Sequence, residues 1–209
     1  MIDEKATAQI KAKYSSIAPL YDFLEAPMER LFHARFRRYL FSKVPSCRVL
    51  ELGVGTGRNL PYYPQDARIT AVDISPAMLK RARSRSGAQR ATFFEMDAQA
   101  LEFADESFDM VVATFVFCSV PDAVLGLAEA RRVCKRSGRL LILEHVRPNR
   151  PFTGRVFDLL NPAVRRILGP EINRRTVVNV RAAGWMITAE EDLFSDVIKL
   201  IEAKPELIA

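Results

Sequence analysis

Val49-Leu50-Glu51-Leu52-Gly53-Val54-Gly55-Thr56-Gly57 is the stretch on which the fold turns. An apolar run too short for a helix passes into three glycines at alternate positions, as where a strand joins a helix. Glycines at the carboxyl end of a strand let the backbone turn tightly and approach a ligand that a Cβ atom would repel. Twenty residues past Gly53 a second strand-like run, Ala71-Val72-Asp73-Ile74, reaches Asp73, whose carboxylate can accept both hydroxyl protons of a ribose. Loop and carboxylate together outline a crevice for a nucleoside.

Outward from this pair, short apolar runs at 47–52, 69–72, 91–94, 110–114 and 140–143 alternate with helix-forming stretches at 76–85 and 123–135. Alternating strand and helix predict an α/β domain, a mostly parallel sheet with helices on both faces. Runs at 185–188 and 197–203 add a closing hairpin or edge pair with its turn near 194–196, for seven strands in all. Residues 1–45 form an amino-terminal helical extension, and 46–209 the domain proper. In the extension Leu31, Phe32, Phe36, Tyr39 and Leu40 recur at spacings of three and four among Arg30, Arg35, Arg37 and Arg38, which reads as a basic amphipathic helix.

Composition narrows the class. The 209 residues are 49% hydrophobic and 27% charged, with 31 Lys plus Arg against 25 Asp plus Glu, a net charge of +6. One domain of this length builds a core without disulfides or a structural metal. Cys47, Cys118 and Cys134 are odd in number and form no Cys-x-x-Cys pair, so neither a disulfide framework nor a metal site is expected, and the reducing cytoplasm is the natural compartment. No apolar run approaches the roughly 18 to 20 residues that cross a bilayer, and residues 1–13 are of mixed charge, unlike a signal peptide. The positive charge suits phosphates, on nucleic acid or on anionic lipid.

The glycine spacing then separates nucleotide binders. A nicotinamide fingerprint, Gly-x-Gly-x-x-Gly, needs a glycine at position 58, where this chain has Arg58; its third glycine is Gly57. With Glu51 ahead, Glu-x-Gly-x-Gly-x-Gly resembles the S-adenosylmethionine loop of class I methyltransferases. Third in the series, Phe93-Phe94-Glu95-Met96-Asp97-Ala98 ends a strand in an acid that can accept from an adenine amino group, while the Ala98 N–H can donate to a ring nitrogen; Asp97 can equally cap the next segment. The fourth strand runs into Phe115-Val116-Phe117-Cys118-Ser119-Val120, where a methyl donor and its acceptor would meet.

With these residues in view the chain is similar to class I methyltransferases over nearly its whole length. It looks most like the ubiquinone/menaquinone methyltransferase-type group that includes bacterial phosphatidylethanolamine N-methyltransferases. Tyr14-Ser15-Ser16-Ile17-Ala18-Pro19-Leu20-Tyr21-Asp22, Asp73-Ile74-Ser75-Pro76-Ala77-Met78-Leu79 and Arg131-Arg132-Val133-Cys134-Lys135-Arg136-Ser137-Gly138-Arg139 carry the likeness. It implies a Rossmann-like fold and S-adenosyl-L-methionine as donor, leaving S-adenosyl-L-homocysteine. The donor contacts it implies are Tyr14, Tyr21, Glu51, Gly53, Gly55, Gly57, Asp73, Ile74, Met78, Asp97, Ala98 and Phe115, with both tyrosines as lids. The stretch 114–121 lacks the Asn/Asp-Pro-Pro-Tyr/Phe loop of base-methylating enzymes, which with the absence of a nucleic-acid module argues against a nucleic-acid acceptor. Val116-Phe117-Cys118-Ser119-Val120 and Leu143-Glu144-His145-Val146-Arg147 also resemble membrane-associated alkyl-thiol methyltransferases.

Transfer from a sulfonium is largely positional and needs a base only when the nucleophile must lose a proton. His145, after the fifth strand, is the candidate base, or else it hydrogen-bonds a nearby loop; Tyr21 is the second catalytic candidate. Cys118 and His33 read as packing or surface residues. Arg147, Arg150, Arg155, Arg165, Arg166, Arg174 and Arg175 alternate with Phe152, Val156, Phe157, Leu159, Leu160, Val164, Ile167 and Leu168. Residues 147–183 therefore read as an acceptor cap whose Arg147, Arg165, Arg166 and Arg174 meet substrate or an anionic membrane, or else as a cap with a solvated basic face. The expected protein is a cytoplasmic methyltransferase, peripheral on the inner face of the membrane, acting on a lipid-like acceptor. A phosphatidylethanolamine-type amine is favoured, with a quinone carbon, a small thiol and a non-catalytic donor-binding subunit as alternatives.

Overall fold

In the computed structural model, residues 2–167 and 169–206 are described; Leu168, assigned above to the basic and apolar stretch, lies outside them. β1 (Arg48–Leu52) is buried from Val49 onward, as the central strand of a sheet covered on both faces must be. The chain adds β2 (Arg68–Asp73) and β3 (Ala91–Glu95) on one side of β1. It then crosses back to lay β4 (Phe108–Thr114) and β5 (Cys134–His145) on the other, every pairing parallel. β6 (Trp185–Phe194) and β7 (Ile198–Pro205) complete a seven-stranded sheet in the order β3-β2-β1-β4-β5-β7-β6, with β7 antiparallel to both neighbours. The α/β class, the strand number and the closing hairpin are those that the spacing of apolar runs predicts.

Because the order of strand addition reverses between the parallel β1 and β4, a crevice opens at their carboxyl ends, the place where open α/β sheets bind ligands. Helices cover both faces. On one, α4 (Ala123–Val133) and α6 (Thr176–Ala182) bury Leu127, Val133 and Val180 with Trp185, whose Nε1–H donates to the Leu127 carbonyl at 2.8 Å. On the other, α2 (Ala34–Ser42) and α3 (Pro76–Ala82) pack Phe36, Leu40, Phe41 and Leu79 over Val112, Leu141 and Leu200. Asp122 and Ser75 cap α4 and α3, each side chain accepting from an amide of the first turn.

Three expectations change. The helix over 123–135 stops at Val133 and β5 begins at Cys134, pairing Phe108 with Cys134 but Met110 with Arg139. The intervening Lys-Arg-Ser-Gly has no alternation that would mark a strand. The extension is not one amphipathic helix: α1 (Glu4–Met28) runs through a π-helical turn, Glu29–His33, into α2. Its basic face is also interrupted. Arg37 is buried, donating to Glu29, Asn59 and Thr114, while Leu31 and Tyr39 are exposed.

α1 is tied to the rest of the fold by polar contacts at several points. Thr7 donates to Asp97, Tyr14 and Ser119 share a hydrogen bond, and Ser15 bonds Ser75. Asp22 accepts from Thr56, Arg58, Arg81 and Arg85. Lys13 reaches the carbonyls of Arg165 and Arg166 near the end of α5 (Pro151–Ile167), offsetting acceptors that a helix end leaves without partners.

Candidate functional site

The glycine loop leaves β1 with Gly53, Gly55 and Gly57 all at positive φ. A side chain at Gly55 would meet nothing nearer than the Gly53 carbonyl at 4.0 Å, so this glycine opens onto space; Gly55 also lines the main cavity. A Cβ at Gly57 would instead lie 2.8 Å from Leu60 and 3.1 Å from the Ala82 backbone. Gly57 therefore serves the fit of the loop against α3 and does not itself border the cavity.

Glu51 likewise lies behind the cavity wall. Fully buried, it accepts from Asn59 Nδ2 at 2.7 Å beneath the loop, and Asn59 continues to Thr114 and Arg37. Burial raises its carboxyl to about 7. It braces the loop from below and does not face the cavity.

Asp73, at the end of β2, receives the Gly55 and Ser75 amides on its two carboxylate oxygens, each at 2.8 Å. Burial pushes its pKa up to about 6 despite these bonds. Around it the cavity is bordered by Gly53, Ile74, Met78, Asp97, Ala98 and Tyr14. Asp97 also caps its own loop, accepting from the Gln99 amide at 2.9 Å, so the capping role and a place on the cavity wall hold together. Two amide-bonded carboxylate oxygens beside a glycine with room in front of it suit a ribose: each oxygen keeps a lone pair for a hydroxyl.

Tyr21, Phe115 and His145 border the same cavity, and so does His33. Phe115 follows β4 at φ 56, a left-handed conformation rare for a side-chain-bearing residue. Its amide donates to the Leu143 carbonyl at 2.8 Å, and the next two amides, of Val116 and Phe117, both donate to the buried Glu144 carboxylate. That clamp sets the Phe115 ring beside two imidazoles, 4.4 Å from His33 and 4.7 Å from His145, centroid to centroid. His33 is therefore cavity wall, where the sequence reading made it surface or packing.

Burial pushes His145 down to about 4, below the ordinary imidazole value near 6.5 on which its reading as a base relied. It is neutral at physiological pH and accepts hydrogen bonds more readily than protons. Burial holds the Tyr21 hydroxyl well above its ordinary range, so it enters as a neutral phenol. Cys118 lines the cavity with its thiol raised far above the usual value by burial, as a packing residue would be.

None of the four arginines assigned to substrate or membrane lines this cavity. Arg147 pairs with Asp158 at 2.7 Å, and Arg174 pairs with Glu171 while donating to the Val120 carbonyl. Arg165 lies 3.4 Å from Glu171 and is mostly exposed; Arg166 is exposed. No cluster of His, Cys, Asp and Glu among the described residues could hold a metal.

Comparison with known proteins places these features in context. Residues 50–142 match the family described as "Methyltransferase domain". A phosphatidylethanolamine N-methyltransferase of Cereibacter sphaeroides is 42% identical over 102 residues, 47% of this chain and 50% of that one. A demethylmenaquinone methyltransferase of Clavibacter sepedonicus is 32% identical over 166 residues, covering 77% of this chain and 67% of the relative. The chain spans between 50% and 66% of the length of the first three curated relatives it matches. Among solved structures, a methyltransferase from Thermotoga maritima titled a possible histamine N-methyltransferase superposes with a TM-score of 0.70 at 20% identity, covering 91% of this chain and 98% of that one.

Proposed function

The chain belongs to the class I S-adenosylmethionine-dependent methyltransferases, and from that membership we propose that it methylates a lipid-like acceptor, a phosphatidylethanolamine-type amine before a quinone ring carbon or a small thiol. One observation carries the reading: the loop glycines and Asp73 border the same cavity as Tyr21, Phe115 and His145, so donor and acceptor groups can share one space. The amine is favoured because the phosphatidylethanolamine N-methyltransferase gives the higher identity, 42%, though over a shorter span. The quinone reading draws on the longer match to the demethylmenaquinone enzyme.

Gly55, Asp73, Met78 and Asp97 would hold the donor, which when bound supplies a methyl group on a positively charged sulfur. The chain's own part is placement. Asp73 fixes the ribose end, the clamped Phe115 sets one wall, and α1 shields the cavity with Tyr14 and Tyr21. Holding two reactants in line can be worth up to roughly 7 to 11 kcal/mol.

Membrane recruitment of such an enzyme has support on its surface. Leu20, Phe23, Leu24 and Leu31 form an exposed stripe along α1 and the turn after it, with Phe23 79% exposed. Phe152, Leu159 and Leu160 do the same on α5, where Arg165 and Arg166 point outward. Exposed apolar side chains beside basic ones suit an anionic lipid surface. No helix among the described residues is long and apolar enough to cross a membrane.

Incubation with labelled S-adenosylmethionine and total lipid extract, followed by mass identification of the labelled product, tests the reading. A methylated amine head group is expected. A labelled quinol or thiol moves the assignment to the corresponding alternative, and donor binding without any labelled product leaves a non-catalytic subunit.

A further inference from the structure

His33 presents an unusual state. It is 3% exposed, it borders the cavity, and neither ring nitrogen has a hydrogen-bond partner among the described residues. A buried polar group without a partner costs about 1 to 3 kcal/mol, and native structures keep such groups for a reason. The ring ends the π-helical turn Glu29–His33, and such turns recur at functional sites. Glu25, about two turns earlier on α1, lines the same cavity with a carboxylate oxygen 3.9 Å from His33 Nδ1. Beside both His33 and the Phe115 ring stands His145, its centroid 5.7 Å from that of His33.

We propose that Glu25, His33 and His145 form a subsite for the primary ammonium of the acceptor. The inference rests on the methyl-transfer reading and deepens it to a substrate class and a set of residues. Two neutral imidazoles offer two acceptor nitrogens, and a carboxylate adds an anionic third. A primary ammonium carries three N–H bonds and a positive charge, which match all three. A thiol brings one weak donor and a quinol ring carbon none, and the carboxylate would repel either nucleophile as an anion.

The neighbouring charges are accounted for. Arg37 on α2 and Arg58 in the glycine loop face the same region, but both are engaged by Glu29, and Arg58 also by Asp22. Phe115 supplies an aromatic wall, which favours a cation. For the nitrogen to act as a nucleophile one N–H bond must break: its proton goes to a Glu25 carboxylate oxygen and its electron pair stays on nitrogen. Glu25 reaches solvent, with its side chain 37% exposed, so the proton has an exit, while the two remaining N–H groups stay on the imidazoles.

Calorimetry on protein saturated with S-adenosylhomocysteine tests this, using dihexanoyl phosphatidylethanolamine and the matched phosphatidylglycerol. Wild type is expected to prefer the ethanolamine lipid by about tenfold or more, the scale of one charge-assisted hydrogen bond. E25Q should bring the two lipids within about threefold of each other without changing S-adenosylhomocysteine affinity. H33F, which keeps the ring but removes both nitrogens, should also weaken the ethanolamine lipid selectively; should it fail to fold, E25Q decides alone. No head-group preference in wild type, or a preference that survives in E25Q, overturns the subsite. Tight S-adenosylhomocysteine binding with transfer to a naphthoquinol and not to the amine overturns it too, while leaving the methyl-transfer reading in place. Wild type that does not bind S-adenosylhomocysteine removes that reading and the subsite with it.

Discussion

In the proposed donor site Asp73 has the most direct part, because its carboxylate both receives the loop amides and keeps lone pairs for a ribose. D73A should weaken S-adenosylmethionine by about tenfold or more, as loss of a charged acceptor costs roughly 1.5 to 3 kcal/mol, and D73N should lose less. Unchanged calorimetric affinity in folded D73A would remove this residue from the site. Since burial raises its pKa to about 6, wild-type donor affinity should also fall as pH drops through that value. His33 makes an opposite kind of demand, on stability. Burial first, then His145, Arg37 and Arg58, hold its pKa at about 3, whereas an unfolded chain returns it to about 6.5. The unfolded state then binds the extra proton between those values, so the folded state loses stability as pH falls below 6.5. At pH 5 the loss relative to pH 8 is about 2 kcal/mol, and H33F should abolish it in urea titrations at the two values. Glu51 and Glu144, both raised to about 7 by burial, act with the opposite sign but are common to both proteins and cancel in the comparison. An equal pH dependence in H33F would show that His33 is not held neutral.

The glycine loop joins two jobs that substitution can separate. G57A meets Leu60 and the α3 backbone at positive φ, so it should lose about 1 kcal/mol to conformation and about 1 to 3 more to overpacking. G55A has open space before it and should lose only the conformational part, yet weaken the donor because its methyl enters the cavity. Thermal melts and donor titrations of the two variants should rank them in opposite orders; the same order in both would refute the division. This loop was legible in the sequence because everything it needs lies within a strand, a turn and Asp73. Glu25 and His33 were not, since they reach the cavity through the way α1 and the π-helical turn lie over it, for which no local periodicity exists. Arg37 failed for the same reason: among basic neighbours it looks solvated, and only its distant partners Asn59 and Thr114 show otherwise. Strand β5 was half legible, its apolar end plain and its polar beginning hidden by the bulge.

Over the whole molecule, the basic excess and the exposed apolar stripes of α1 and α5 lead to a lipid-binding test. The protein should sediment with vesicles containing anionic phospholipid and less so as salt rises, because screening cuts the reach of exposed charge to about 8 Å at physiological ionic strength. Neutral vesicles should bind weakly. The double variant R165E/R166E should sediment less and keep its donor affinity, as neither side chain borders the cavity. Equal sedimentation with both kinds of vesicle, or with neither, would exclude electrostatic recruitment. A different consequence follows from the way α1 lies over the site. This single helix lends Ile10 and Tyr14 to the side of the cavity around Asp73 and Tyr21 and Glu25 to the side around Phe115, while Asp22 pins it between them. If either ligand shifts this helix on binding, the other meets it already shifted. The two affinities are then linked, and the factor by which the donor product tightens the acceptor must equal the factor by which the acceptor tightens the donor product.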